Sequence, residues 1–177
     1  MSDIPAINEG LIQEQEVVFK AGVSEYTARR MGSNMNFVLT NHVFTHAFKM
    51  NGPSSSFAGK TGVDGVFVFP YDAEIIDAVA YVETPGTGGT MQLNLSFSPA
   101  SSPGSYVSIF TTQPQITSGA VAGARCGVGD SVAGCTAPVL TATPVLVNAR
   151  DGIKMDVTSM QTGFVANCGI VIFYRMR

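Results

Sequence analysis

The sequence predicts an all-β fold, an antiparallel jelly-roll-like sandwich with an N-terminal arm and one short helix. Three observations predict it. Two segments alternate strictly between apolar and polar residues, Met91–Ser98 and Ile153–Val157, which is the two-residue period of half-buried strands. Glycine, serine and threonine supply 49 of the 177 residues, while only 13% are charged. Helical surfaces are built from Lys, Glu and Arg, so this composition favours strands and turns. Glycine and proline are also unevenly placed. Three glycines and one proline fall in residues 1–50, and sixteen glycines and eight prolines fall in residues 51–177. The first stretch reads as an arm, a short helix and a first strand. The second reads as a body of short strands separated by turns.

In chain order, Glu16-Val17-Val18-Phe19-Lys20 is a β-prone apolar cluster flanked by charge. Ser24 can cap a helix N-terminus, Glu25 lies in the first turn, Arg29 and Arg30 in the last, and Gly32 follows. These choices satisfy the free backbone groups and the dipole of a two-turn helix over Glu25–Met31. So short a helix needs a surface to dock on. Phe37–Met50 is a long strand, and Val66–Phe69 another. Ile75–Val82 is apolar on most positions of both faces, with Asp77 the exception, and reads as covered on both sides. Pro85-Gly86-Thr87-Gly88-Gly89 turns the chain into Met91–Ser98. Tyr106–Phe110, Val139–Thr141, Val145–Asn148, Ile153–Val157 and Val165–Tyr174 complete eight or nine strands. With no second helix, that count predicts a sandwich or barrel. Leu93, Leu95, Phe97, Ile153, Met155 and Val157 are expected to point inward.

The net charge of −3 and pI near 5.2 speak against a nucleic-acid binder, which carries a basic face. No apolar run is long enough for a membrane helix, despite a mean hydropathy of +0.23. Met1-Ser2-Asp3-Ile4-Pro5 has neither the basic nor the apolar region of a signal peptide. The sequence therefore points to synthesis in a cytosol, with neither nucleic acid nor membrane as partner.

Candidate chemistry is sparse. Ala58-Gly59-Lys60-Thr61 ends like a phosphate loop, but Ser54 stands where its first glycine belongs. His42 and His46 share a strand face about 13 Å apart at ~3.3 Å per residue, too far for one metal ion. They are expected to pack or hydrogen-bond. Asp72, Glu74 and Asp77 are read as carboxylates solvating a strand start rather than a calcium site. No nucleophile elbow occurs. No catalytic residue, metal site or cofactor is assigned. Cys126 and Cys135 flank a glycine-rich loop and can close it as a disulfide in oxidising surroundings. Free thiols are the default for a protein made in a cytosol. Cys168 is expected in the core.

The order of Phe69–Thr84, Gly86–Thr90, Ser108–Ile116, Ala137–Leu140 and Gly169–Arg175 resembles β-sandwich modules of tailed-bacteriophage structural proteins. Head decoration proteins, head fibres and tail appendages belong to that group. The resemblance covers residues 66–177 and rests on strand and turn pattern. It implies a homotrimeric, non-enzymatic virion protein, assembled in the host cytoplasm, whose partners are the major capsid protein or other virion proteins. Capsid decoration is the expected role; a collar or tail fibre module that binds a host receptor is the alternative. A cupin-like or carbohydrate-binding barrel is a third reading from another class. In the expected role Val17, Val18, Phe19, Arg29 and Arg30 anchor the arm to the virion, Val17–Phe19 by strand addition and the arginines by charge; the alternative is that Val17–Phe19 is a strand of the same sandwich.

Overall fold

The computed structural model describes residues 43–50, 57–163 and 165–177. The expected helix, His42 and the anchoring residues Val17, Val18, Phe19, Arg29 and Arg30 lie outside the described residues. Those described form strands and no helix: β1 (Val43–Met50), β2 (Val63–Val68), β3 (Ala73–Thr84), β4 (Thr90–Ser98), β5 (Val107–Ser108), β6 (Phe110–Thr112), β7 (Gln115–Thr117), β8 (Arg125–Cys126), β9 (Cys135–Thr136), β10 (Val139–Leu140), β11 (Val145–Val147), β12 (Gly152–Ser159) and β13 (Ala166–Met176).

Every pairing is antiparallel. The first sheet runs β1-β13-β3-β11, with β8 sharing the β3 edge that β11 occupies further along. The second runs β2-β12-β4-β7-β9, with β5 beside β4. A separate pair joins β6 and β10. Counting β1, β2, β3, β4, β7, β11, β12 and β13 as the main path, the first sheet takes the first, eighth, third and sixth strands. The second takes the second, seventh, fourth and fifth. That order is the double Greek key of a jelly roll, so the expected fold is observed.

The compact unit starts at Val43. Its first strand is β1, Val43–Met50. That strand pairs with β13 along its whole length, Val43 opposite Arg175 through Met50 opposite Cys168.

The core lies between the two sheets. Phe48, Ile75, Ile170 and Ile172 from the first meet Leu93, Leu95, Ile153 and Met155 from the second, all fully buried. Of the six residues expected inward, Leu93, Leu95, Ile153, Met155 and Val157 are buried and Phe97 is half-buried against the same core. The apolar run of β3 has a local explanation. Its register against β13 slips between Phe173 and Tyr174, which face Asp77 and Ile75 and leave Ile76 over. This bulge reverses the parity, so Ile75 and then Ala78, Ala80 and Val82 all face the core. Asp77 sits at the bulge and its Oδ1 accepts from the N–H of Ala78 at 2.7 Å and of Val128 at 3.0 Å.

Buried polar groups tie the loops to this frame. The Asp151 carboxylate, 2% exposed, accepts from the N–H of Ala100 and of Asn148, each at 2.7 Å. Gln161, 1% exposed, accepts from Gly86 N–H at 2.5 Å and donates through Nε2 to the Ile116 carbonyl at 2.7 Å. It thereby joins the β3–β4 turn to β7.

Candidate interaction surface

The outward faces of the two sheets differ in chemistry. On the second sheet the outward residues of β4 and β12 are polar, and they bond to one another. Ser96 Oγ donates to Asp156 Oδ2 at 2.5 Å, and Asp156 Oδ1 accepts from Gly62 N–H at 2.9 Å. Asn94 Nδ2 donates to Ser96 Oγ, and Ser108 Oγ donates to Asn94 Oδ1 at 2.7 Å. Lys154 reaches Asp156 at 3.5 Å and lies 4.2 Å from the centre of the Tyr106 ring. Each of these groups is engaged within the face. Such a network rigidifies the sheet and offers few open donors or acceptors to a ligand.

The outward face of the first sheet is apolar in the middle and cationic at one end. Register sets it in rows across the strands. Ala47, Val171 and Val79 lie side by side, with Phe173 in the next row. The row on the opposite side of Ala47, Val171 and Val79 holds Lys49, Gly169, Tyr81 and Arg125. All of these except Gly169, together with Met50, Asn167 and Cys168, line a groove of about 600 Å³. Its lining holds two cations and, among the described residues, no carboxylate. Burial pushes the Tyr81 hydroxyl up, with smaller contributions in the same direction from Cys168 and Asp64, so it stays a neutral hydrogen-bonding group at neutral pH. Gly169 is required in this row. A Cβ there would come within 2.0 Å of the Phe48 carbonyl oxygen and 3.0 Å of the Tyr81 hydroxyl. Asn167 takes a positive φ of 45° and donates through its side-chain amide to Glu83.

Among the described residues the groove opens beside a free edge of the sheet. β1 is the outermost strand there. Lys49 N–H points away from β13, toward Asp64 Oδ2 at 2.9 Å. Antiparallel alternation turns the N–H and C=O of Val43, Thr45 and Ala47 the same way.

The residues singled out in the sequence occupy separate places. His46 faces inward, its ring stacked on Phe67 at 4.1 Å and edge-on to Phe48 at 4.7 Å. It is a packed strand histidine, as expected. Burial lowers its pKa, against an opposing pull from Asp64. Asp72 Oδ1 accepts from Ala149 N–H, Glu74 pairs with Arg175, and Asp77 holds the bulge described above. The three carboxylates thus serve three different partners. In the stretch that ends like a phosphate loop, the N–H of Gly59 goes to the Val157 carbonyl and that of Lys60 to Phe57. Those donors cap β12 as a turn and are not aimed at a phosphate.

Cys126 and Cys135 are free thiols within interaction distance of each other, on β8 and β9. Cys126 donates to the Thr136 carbonyl at 3.0 Å, and burial above all pushes its pKa up to about 12. Cys168 is buried and pushed up to about 11 for the same reason. The groove and the open edge were not foreseen from the sequence. The outward apolar residues Ala47, Val79, Val171 and Phe173 carry the signal, but Val79 reads there as part of a strand covered on both sides and the other three simply as strand residues.

No protein-family model matches the chain, and no curated protein matches it in sequence. Among solved structures, a chain titled "Capsid of Ralstonia phage GP4" superposes with a TM-score of 0.47 at 15% sequence identity, over 78% of this chain and 86% of that one. At that level of similarity the likeness transfers no role to this chain.

Proposed function

We propose that this protein is a structural component of a tailed-bacteriophage virion, a non-catalytic decoration protein that binds the outside of the head and ties neighbouring capsomers together as a homotrimer. The observation that carries this reading is the surface of the body. Large apolar side chains stand exposed around it, among them Val66, Val68, Tyr71, Val107, Val139 and Leu146. They occur on a chain with only 13% charged residues. Surfaces poor in charge suit burial against neighbours. The jelly-roll frame supports the reading as a rigid platform, and the strand and turn pattern of residues 66–177 resembles virion modules. Fold by itself assigns no role, since jelly rolls also serve lectins and cupins.

Cryo-electron microscopy of purified virions tests the proposal. Density for the jelly roll on the outer surface of the head, at junctions between capsomers and in groups of three, is the expected result. Density on the collar or tail replaces decoration with the fibre or appendage role. Absence from the particle overturns the virion reading. Light scattering of the isolated chain at micromolar concentration gives an independent check. A single species of one-chain mass, 18.6 kDa, overturns the trimer.

A further inference from the structure

We propose that the open edge of β1, with the adjoining groove, is a strand-addition site for an extended segment of a different protein, one that carries large apolar residues two positions from a carboxylate. The inference builds on the reading of this body as an assembly module and names the surface and the chemistry it recognises.

Two independent observations lead to it. The first is the edge. Val43, Thr45 and Ala47 turn their backbone N–H and C=O groups away from β13, and among the described residues none has a partner on that side. Val43 and Thr45 are exposed. Unpaired edge groups of this kind are a template for an added strand, and proteins that do not use such an edge blunt it. One edge strand of the other sheet, β2, is blunted. Asp64 and Gly65 of β2 both take positive φ, at 68° and 83°, and the β2–β12 register slips beside them. On β1 only the far end is closed, where Asp64 Oδ2 accepts from Lys49 N–H.

The second observation is the groove. A strand added to β1 places alternate side chains on the outward face, beside Thr45 and Ala47. Ala47 is small, so a leucine-sized side chain there can lean over it onto Val171 and Phe173, which are half-buried in the groove. Asp64 closes the backbone of β1 at Lys49, so the added strand pairs as far as Ala47 and its next outward side chain reaches across toward the Lys49 ammonium. Lys49 has no carboxylate bonded to its ammonium among the described residues, and Arg125 is the second cation of the same lining. Charge complementarity therefore selects an acidic residue at that position. Backbone pairing supplies affinity, while the apolar pocket and Lys49 set register and specificity.

A second copy of this chain is the competing occupant. Antiparallel β1–β1 pairing about Thr45 would bring no carboxylate toward Lys49, so it does not explain the cationic lining.

The probe is a fluorescent, end-blocked peptide, Glu-Thr-Leu-Thr-Leu-Thr-Glu. It is palindromic and so presents one face in either strand direction. Binding to the full chain is read by anisotropy. The expected result is saturable binding that Thr45→Pro weakens by about tenfold or more, equivalent to ~1.4 kcal/mol. Proline there removes one outward N–H and leaves the β13 ladder intact. Lys49→Glu is expected to weaken this peptide several-fold and to favour its Lys-Thr-Leu-Thr-Leu-Thr-Lys counterpart instead. If circular dichroism shows Thr45→Pro misfolded, the charge exchange at Lys49 decides. Absence of saturable binding, or binding unchanged by both substitutions, overturns the proposal. So does self-association of the wild-type chain that Thr45→Pro abolishes, since the occupant is then a second copy. The peptide assay involves no virion, so its failure leaves the decoration reading standing, and absence from virions leaves the peptide result standing.

Discussion

Gln161→Met tests how the jelly roll is held at one end. Gln161 is 1% exposed and bridges the β3–β4 turn to β7 through its side chain. Its Oε1 takes the Gly86 N–H at 2.5 Å, and its Nε2 gives to the Ile116 carbonyl at 2.7 Å. Methionine nearly conserves the volume and length, so no cavity contributes. What changes is that the buried Gly86 N–H loses its acceptor, while the Ile116 carbonyl keeps its place opposite Met91 in the β4–β7 ladder. An unsatisfied buried group costs about 1–3 kcal/mol. That predicts a loss of roughly 1–3 kcal/mol, or a fall in Tm of roughly 2–12 °C at ~2–4 °C per kcal/mol for a domain of this size. Urea unfolding followed by circular dichroism measures it, with an unchanged slope confirming that the native state alone has altered. Gln161→Glu sharpens the test. Its carboxylate keeps the acceptor for Gly86 but sets an oxygen against the Ile116 carbonyl, which raises its folded pKa above the unfolded value near 4.3. The deficit of this variant should then be small below about pH 4 and grow as pH rises. A Gln161→Met protein within about 0.5 kcal/mol of wild type, or a Gln161→Glu deficit that does not change with pH, refutes the reasoning.

Three further outcomes are expected. Gly169→Ala sets a Cβ 2.0 Å from the Phe48 carbonyl oxygen and should cost at least the ~1–3 kcal/mol of an overpacked core, by pushing β1 off β13; an unchanged Tm would contradict the register described. Cys126 and Cys168, pushed up to about 12 and about 11, should resist a disulfide reagent at pH 8 until the chain is unfolded in urea. Mass spectrometry of the labelled protein reads this, and rapid modification of either thiol in the folded state counts against it. Burial holds the folded His46 below the unfolded value near 6.5, so the unfolded chain takes up the proton first as pH falls. Stability is then complete above about pH 6.5 and declines below it, and a His46→Phe variant should lose that part of the decline. Urea midpoints between pH 7.5 and 5 that fall equally in both proteins would assign the loss to other groups.

The alternation of Met91–Ser98 and Ile153–Val157 was enough to establish strands and to aim Leu93, Leu95, Ile153 and Met155 inward, because side-chain direction in a strand is local. Sparse charge and abundant glycine, serine and threonine likewise established an all-β body. The short strands β7, β8 and β9 escaped, since two or three residues hold no period, and their pairing comes from β3, β4 and each other. β3 was legible as apolar on both faces, yet the bulge at Ile76 and Asp77 that produces part of that pattern is a matter of register against β13. His46 shows the same division. Its place in a strand follows from its neighbours in sequence, but stacking on Phe67 depends on β2 being folded across from the other sheet. The groove belongs wholly to this second category. Lys49, Tyr81, Arg125 and Gly169 are far apart along the chain and form one row only because β1, β13, β3 and β8 pair in that order. Strand direction is written into nearest neighbours, whereas strand order depends on which faces find each other when the core closes.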